Sequence, residues 1–323
     1  MKSKYYLVAR ENIFSHPILK IIAKSEKVYE SINLKENISC IFLLPFKKMD
    51  FIVSDPIVAM FFLHKKFIFF SLEMFEYQVD NNNIKNILRN FVFKICHRIA
   101  LHKANVIYFP NKIRSDFYVE QYGISRDKII VLPNYPSRDT IKHIEESQKE
   151  FCNSISSELY YRYDLDGIEK YDEIFVYIGT INESNRGLKE IISSVENKNN
   201  AFLLLAGKVS SLGDSSNLLK GRKHKYIGEL EHKDAINLLN LADYGFLYYS
   251  RDLKNTNYCA PVKIFEYINA GVKLVANDCD GLKEYENAIY YNITSEGLLK
   301  KNEKYDEEYV DSLKGRFFES HFE

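Results

Sequence analysis

Paired cysteines are missing from this 323-residue chain: Cys40, Cys96, Cys152, Cys259 and Cys279 lie far apart, are odd in number and form no C-x-x-C. The spacing implies neither a disulfide framework nor a zinc site, and it fits a reducing cytoplasm. Long apolar runs are lacking too. No segment reaches the ~18 residues of a membrane-spanning helix. The apolar run at 5–9, behind Lys2 and Lys4, is too short for a signal-peptide core. A soluble or peripheral cytoplasmic protein is expected, with the inner face of the plasma membrane as its outer limit. Net charge is also absent, with 44 Lys+Arg against 44 Asp+Glu, and no nucleic-acid partner is expected.

What is present is a globular composition, 46% hydrophobic and 14% aromatic, long enough for two domains with separate cores. The zero balance hides an asymmetry. Residues 1–150 carry 23 Lys+Arg against 16 Asp+Glu, and the remainder carries 21 against 28. A basic first half points to a negatively charged partner, such as lipid headgroups or an anionic acceptor.

Apolar runs at 4–9, 40–44, 51–53 and 67–70 alternate with helical patterns, including one at 17–24, which is the rhythm of an open α/β sheet with buried parallel strands. From 83 to 103 apolar residues keep helical spacing beside Lys85, Arg89, Lys94, Arg98 and Lys103. Such a basic amphipathic helix either covers the sheet with a solvated basic face or lies on an anionic membrane. Strand, turn and helix follow to Tyr122-Gly123, then a strand ending at Pro133-Asn134. Residues 137–172 read as a polar linker with an extra helical segment.

In the second half, strand 173–178 leads into the loop Gly179-Thr180 to Arg186-Gly187. A strand, loop and helix N-terminus with a nearby cation makes a phosphate-reading unit. Strand 201–206 ends at Gly207, where backbone can approach a ligand closely. A mobile loop is expected at 209–222, then a strand, a turn at Glu229-Leu230 and a helix, then strand 244–249. Pro261 and Gly271 bracket a short helix over 260–270. N–H groups around Ala260 to Lys263, with the Lys263 charge, suit a phosphate. Glu266, on the same face, suits a ribose diol or a solvated pair with Lys263. The acidic triplets at 164–166 and 278–280 read as ordinary turns rather than metal sites.

The run Ala260-Pro-Val-Lys-Ile-Phe-Glu-Tyr-Ile-Asn-Ala-Gly-Val-Lys-Leu-Val-Ala-Asn277 resembles the nucleotide-sugar-binding segment of retaining GT-B glycosyltransferases, family 4 in particular. The resemblance implies two Rossmann-like, doubly wound parallel-sheet domains facing a cleft. They would be an acceptor-side domain over 1–136 and a donor domain over 173–300, with a tail helix over 301–323 that can return to the first domain. It implies a metal-independent transferase, without cofactor, moving a sugar from a UDP- or GDP-linked donor to a saccharide or lipid-linked acceptor in surface polysaccharide or glycoconjugate synthesis. Arg186 and Lys263 would hold the diphosphate, beside Gly179, Thr180 and Gly207. Main-chain groups of Glu229 and Leu230 would read the base and Glu266 the ribose; with Tyr258 in place of a sugar-binding glutamate, either main-chain groups of Cys259, Ala260, Pro261 and Val262 hold the sugar or the donor is unusual.

Three positions depart from the pattern. Leu72 replaces a histidine, leaving Glu73 as the candidate on the acceptor side, near Asp55. Thr180 replaces an arginine, and Tyr258 a glutamate. An epimerase on the same fold and a non-catalytic binding protein are the alternatives.

Overall fold

The computed structural model describes residues 5–9, 28–33, 50–151, 160–182, 185–211, 217–301, 304–317 and 320. The helix expected at 17–24 and the strand expected at 40–44 lie outside them. The chain divides into two compact units. One comprises Met1–Ser137, Leu253–Ala260 and Phe318–Glu323; the other comprises Arg138–Asp252 and Pro261–Phe317.

In the first unit β1 (Tyr5–Ala9), β2 (Val28–Asn33), β3 (Asp50–Val53), β4 (Phe67–Phe70), β5 (Val106–Phe109) and β6 (Ile129–Val131) form one sheet in the order β2-β1-β3-β4-β5-β6. Every pairing is parallel. Phe51, Val53, Phe67 and Phe69 are fully buried, because a parallel strand is covered on both faces. With Phe62 and Phe109 they form the core, each phenyl ring contributing roughly 2–3 kcal/mol by leaving water.

Two helices cover this sheet, α1 (Ile84–Lys103) and α2 (Lys112–Tyr122). Asn83 and Asn111 cap them, accepting from the N–H groups of Asn86 and Arg114, and Gly123 ends α2 at φ +65°. The sheet-covering reading of the basic helix holds only in part. α1 does pack on the unit, but it turns Asn90, Phe93, His97, Ala100 and Leu101 inward and leaves most of its large apolar side chains outside. The physical reason is the loop 75–81. Its Val79 carbonyl accepts from Asn90 Nδ2 at 2.9 Å and its Phe75 carbonyl from Arg89 Nη1 at 3.0 Å, so the polar side of the helix must face it.

In the second unit a seven-stranded sheet has the order β11-β9-β7-β12-β13-β14-β15, with a separate pair β8-β10. The strands are β7 (Glu173–Ile178), β8 (Ile181–Asn182), β9 (Ala201–Ala206), β10 (Val209–Ser211), β11 (His224–Gly228), β12 (Tyr244–Leu247), β13 (Lys273–Asn277), β14 (Ile289–Thr294) and β15 (Gly297–Lys300). Only β15 runs antiparallel to its neighbour. Chain order reverses between β7 and β12, and in open α/β sheets that switch point, at the carboxyl strand ends, is where ligands bind. The loop expected at 209–222 begins instead with β10, which pairs with β8.

The helices of this unit are α3 (Arg138–Glu150), α4 (Leu188–Glu196), α5 (His232–Leu238), α6 (Lys263–Asn269) and α7 (Glu307–Leu313). The segment read as linker supplies α3, which packs on α5 and α6. Its Ser147 Oγ donates to Asn237 and accepts from Asn240, at 2.7 and 2.6 Å. The tail helix α7 packs on α6 within this unit.

Candidate active site

α6 begins at Lys263, three residues later than the spacing predicts, because Pro261 and Val262 form the turn that leads into it. Phe265, Tyr267 and Ile268 bury its inner face. Glu266 lies among them, only 4% exposed, which a carboxylate tolerates only when paired. His232 Nε2 stands 2.9 Å from its Oε1 and Lys263 Nζ 3.7 Å from its Oε2. Burial pushes the Glu266 carboxyl up, but Lys263 and His232 together outweigh it and hold it below the usual glutamate value. The site therefore holds a charged carboxylate under a partly exposed ammonium.

Lys263 leans towards the end of β7. Its Cε lies 3.8 Å from the point a side chain at Gly179 would occupy, and the Tyr177 hydroxyl lies 3.5 Å from the same point. That hydroxyl donates to the Thr180 carbonyl at 2.8 Å, which fixes the turn. Burial pushes the Tyr177 phenol up to about 12, and the nearby Arg186 pulls the other way. Arg186 itself lies over the Tyr249 ring, 4.7 Å from its centre. Lys263 and Tyr177 thus stand at the Gly179 turn, Arg186 is near enough to act on the Tyr177 phenol, and Thr180 is exposed.

The neighbouring strand end is tied to this turn by glycine. Gly207 has φ +136°, and a Cβ there would meet the Gly179 carbonyl at 1.8 Å, so the two backbones touch where only hydrogen fits. The Gly207 N–H donates to Gly228 O at 2.7 Å, which brings in the end of β11 and the turn holding exposed Glu229 and half-buried Leu230. At Gly187, φ +57°, the ring of Tyr248 occupies the space a side chain would need.

Two expected donor residues belong to the first unit. The Cys259 carbonyl accepts from Asn111 Nδ2 at 2.8 Å and the Ala260 carbonyl from Asn134 Nδ2 at 2.7 Å. Pro261 and Val262 belong to the second unit, at the start of its segment Pro261–Phe317. Tyr258 packs against Phe117, and its carbonyl accepts from Arg114 Nε at 2.7 Å. The buried Arg114 guanidinium also donates to the carbonyls of Leu72 and Asn255, so one side chain holds two distant stretches of the unit.

Glu73 is half-buried in the loop after β4, and among the described residues its carboxylate has no ion-pair partner. The buried carboxylate of that loop is Glu76. It pairs with His97 Nδ1 at 2.9 Å and accepts from the Tyr118 hydroxyl at 2.9 Å, while His97 Nε2 meets Ser71 Oγ at 3.0 Å. Asp55, expected near the acceptor, caps the helical turn Pro56–Ala59 by accepting from the N–H groups of Ile57 and Val58. In the acidic triplets Asp164 pairs with Lys225, Asp278 with Arg251 and Asp280 with Lys283.

Sequence reasoning missed His232, Arg114, Tyr177 and Tyr249. Only Tyr177, two residues before a glycine at a strand end, carried any local signal.

No protein-family model and no curated protein matches this chain. Solved structures do. The chain is similar to HepE of Anabaena in complex with UDP, with a TM-score of 0.63 at 10% identity over 96% of this chain and 88% of that one. It is similar to a glycosyltransferase from Rickettsia africae, with a TM-score of 0.59 at 15% identity over 97% and 88%. It is also similar to a putative UDP-N-acetylglucosamine 2-epimerase from Listeria monocytogenes, with a TM-score of 0.53 at 13% identity over 100% and 97%. At such identities the likeness establishes the fold, which is GT-B with two Rossmann-like parallel sheets.

Proposed function

We propose that this protein is a glycosyltransferase of the family 4 type, moving a sugar from a UDP- or GDP-linked donor to a saccharide or lipid-linked acceptor with retention, in the cytoplasm. One observation carries the reading: Lys263 and Tyr177 meet at the Gly179 turn, which ends β7 beside the strand-order switch point, and Lys263 pairs with the buried Glu266. A lysine at a glycine turn on the carboxyl edge of the sheet suits a nucleoside diphosphate. The solved structures with bound UDP or a glycosyltransferase name support it.

In this scheme the donor diphosphate lies along the Gly179 and Gly207 turns, with Lys263 and Arg186 beside it. A carboxylate has about four acceptor positions. Glu266 spends one on His232 and one on a long contact to Lys263, which leaves room for a ribose hydroxyl. The anomeric bond to the diphosphate breaks, a bond to the acceptor oxygen forms on the same face, and Glu73 takes the hydroxyl proton. Charge develops on the departing diphosphate, where Lys263 and Arg186 stabilise it more in the transition state than in the ground state. No metal is needed for that neutralisation.

A second reading, an epimerase that converts a UDP-sugar unaided, is favoured by the likeness to the Listeria protein over nearly the whole of both chains. Two measurements separate these readings. Thermal unfolding with UDP, GDP, ADP and CMP identifies the base, since a ligand of the native state raises the midpoint. Incubation with the matching nucleotide-sugars, with and without acceptor, follows. Release of the nucleoside diphosphate only with acceptor supports transfer, and conversion without acceptor supports epimerisation. If none of the four nucleotides shifts the midpoint, the nucleotide site is refuted.

A further inference from the structure

We infer that α1 is a docking surface for an anionic phospholipid bilayer. Its residues Ile84, Ile87, Leu88, Phe91, Val92 and Ile95 are all exposed, Ile84 by 80%, Leu88 by 62% and Phe91 by 59%. Their spacing of three and four residues aligns them in one stripe about 16 Å long. Soluble surfaces rarely leave so many large apolar side chains contiguous. The inward face of α1 is already satisfied by the hydrogen bonds of Arg89 and Asn90 and by the packing of Phe93, Ala100 and Leu101, so the stripe is not a core face awaiting its sheet.

Charge decides what covers it. α1 contains no acidic residue, and Lys85, Lys94, Arg98 and Lys103 are exposed along it. The turn Met60–Phe62, packed beside α1, adds exposed Phe61, followed by exposed His64 and Lys66, and residues 56–66 hold no acid either. Asp80 is the exposed acid near the helix start. A second copy of this face would set cations against cations. An anionic lipid surface takes the apolar stripe into the acyl boundary and the cations at the headgroups, with the helix lying in the plane of the interface. No helix of the described residues is long and apolar enough to cross a membrane, so docking is peripheral.

Docking does not depend on the nucleotide site, which lies in the other unit, and its test uses no nucleotide. The full chain is sedimented with phosphatidylcholine vesicles, with or without about one-third phosphatidylglycerol, at low and high salt. Binding at least about tenfold tighter to the anionic vesicles, weakened by salt, is expected. Leu88→Ser/Phe91→Ser, at exposed positions, reduces that binding about tenfold or more while circular dichroism and the unfolding midpoint stay unchanged. Lys94→Glu weakens it and flattens the loss with salt. Absence of sedimentation at low salt, equal binding to both vesicles, or a doubling of mass in sedimentation velocity that Leu88→Ser/Phe91→Ser abolishes would each overturn the inference.

Discussion

His232 Nε2 lies 2.9 Å from Glu266 Oε1, joining the first turn of α5 to the first turn of α6 through a carboxylate that is almost fully buried. Glu266 is thus a structural charge as well as a candidate ribose ligand, and the two roles separate by pH.

Burial raises the Glu266 carboxyl, and Lys263 and His232 more than reverse it, so the folded value lies below the unfolded one. A depressed carboxylate stabilises fully above its unfolded value, about 4.3, and that stability is lost as pH falls through the folded value. Glu266→Gln is expected to cost about 1–3 kcal/mol at pH 7 and to flatten the acid limb of the unfolding midpoint below about pH 5. Midpoints measured from pH 7 to pH 3.5 check this. Equal acid slopes for both proteins would remove Glu266 as the titrating group.

Gly207→Ala separates close packing from backbone strain. The new Cβ would sit 1.8 Å from the Gly179 carbonyl oxygen, in backbone that cannot yield alone. Gly123 also has positive φ, but nothing lies within 4 Å of a Cβ there. Gly123→Ala should therefore cost about 1 kcal/mol, whereas Gly207→Ala should cost more than about 3 kcal/mol and erase any nucleotide-induced rise in midpoint. Urea unfolding of the two variants decides it, and similar costs would mean that φ alone matters.

The glycine ends and the Lys263–Glu266 spacing were legible in the sequence because both are local. So were β3, β4, β7 and β9, since buried parallel strands are apolar throughout. β2, with the sequence Val-Tyr-Glu-Ser-Ile-Asn, offers no such run. The direction of α1 was hidden for a different reason. Helical periodicity gives a stripe but not the side on which the protein lies, and that side was chosen by carbonyls of the 75–81 loop. His232 meets Glu266 across 34 residues, and Arg114 meets Tyr258 across 144, distances at which spacing carries no signal. Arg114 reads as a solvated helix cation until the chain returns to it.

Arg114 donates to the carbonyls of Leu72, Tyr258 and Asn255 from a buried position. A lysine has one compact head group and cannot match that planar fork. Arg114→Lys should cost about 2–4 kcal/mol, since carbonyls left without a donor keep their desolvation penalty. Cleavage near 253–260 in limited proteolysis should appear before cleavage elsewhere. An unchanged midpoint and an unchanged cleavage order would show that the guanidinium holds nothing.

The proposed transfer asks different things of Lys263 and Glu73, and a pair of variants tells them apart. Lys263 lies at the Gly179 turn, where under the proposed transfer it would stabilise both bound donor and departing charge. Lys263→Met should therefore weaken the nucleoside-diphosphate shift in midpoint and lower kcat by about 100-fold or more. Glu73 belongs to the other unit and, among the described residues, has no ion-pair partner to lose. Glu73→Gln should leave the nucleotide shift intact and lower kcat by about 100-fold, the usual scale for a lost general base. Its KM for donor should stay within about twofold, because a group acting only in the transition state does not contribute to ground-state binding. Near-normal turnover in Glu73→Gln would exclude it from proton transfer. Normal nucleotide binding in Lys263→Met would sink the diphosphate site itself, since the Lys263 side chain lies against the Gly179 turn.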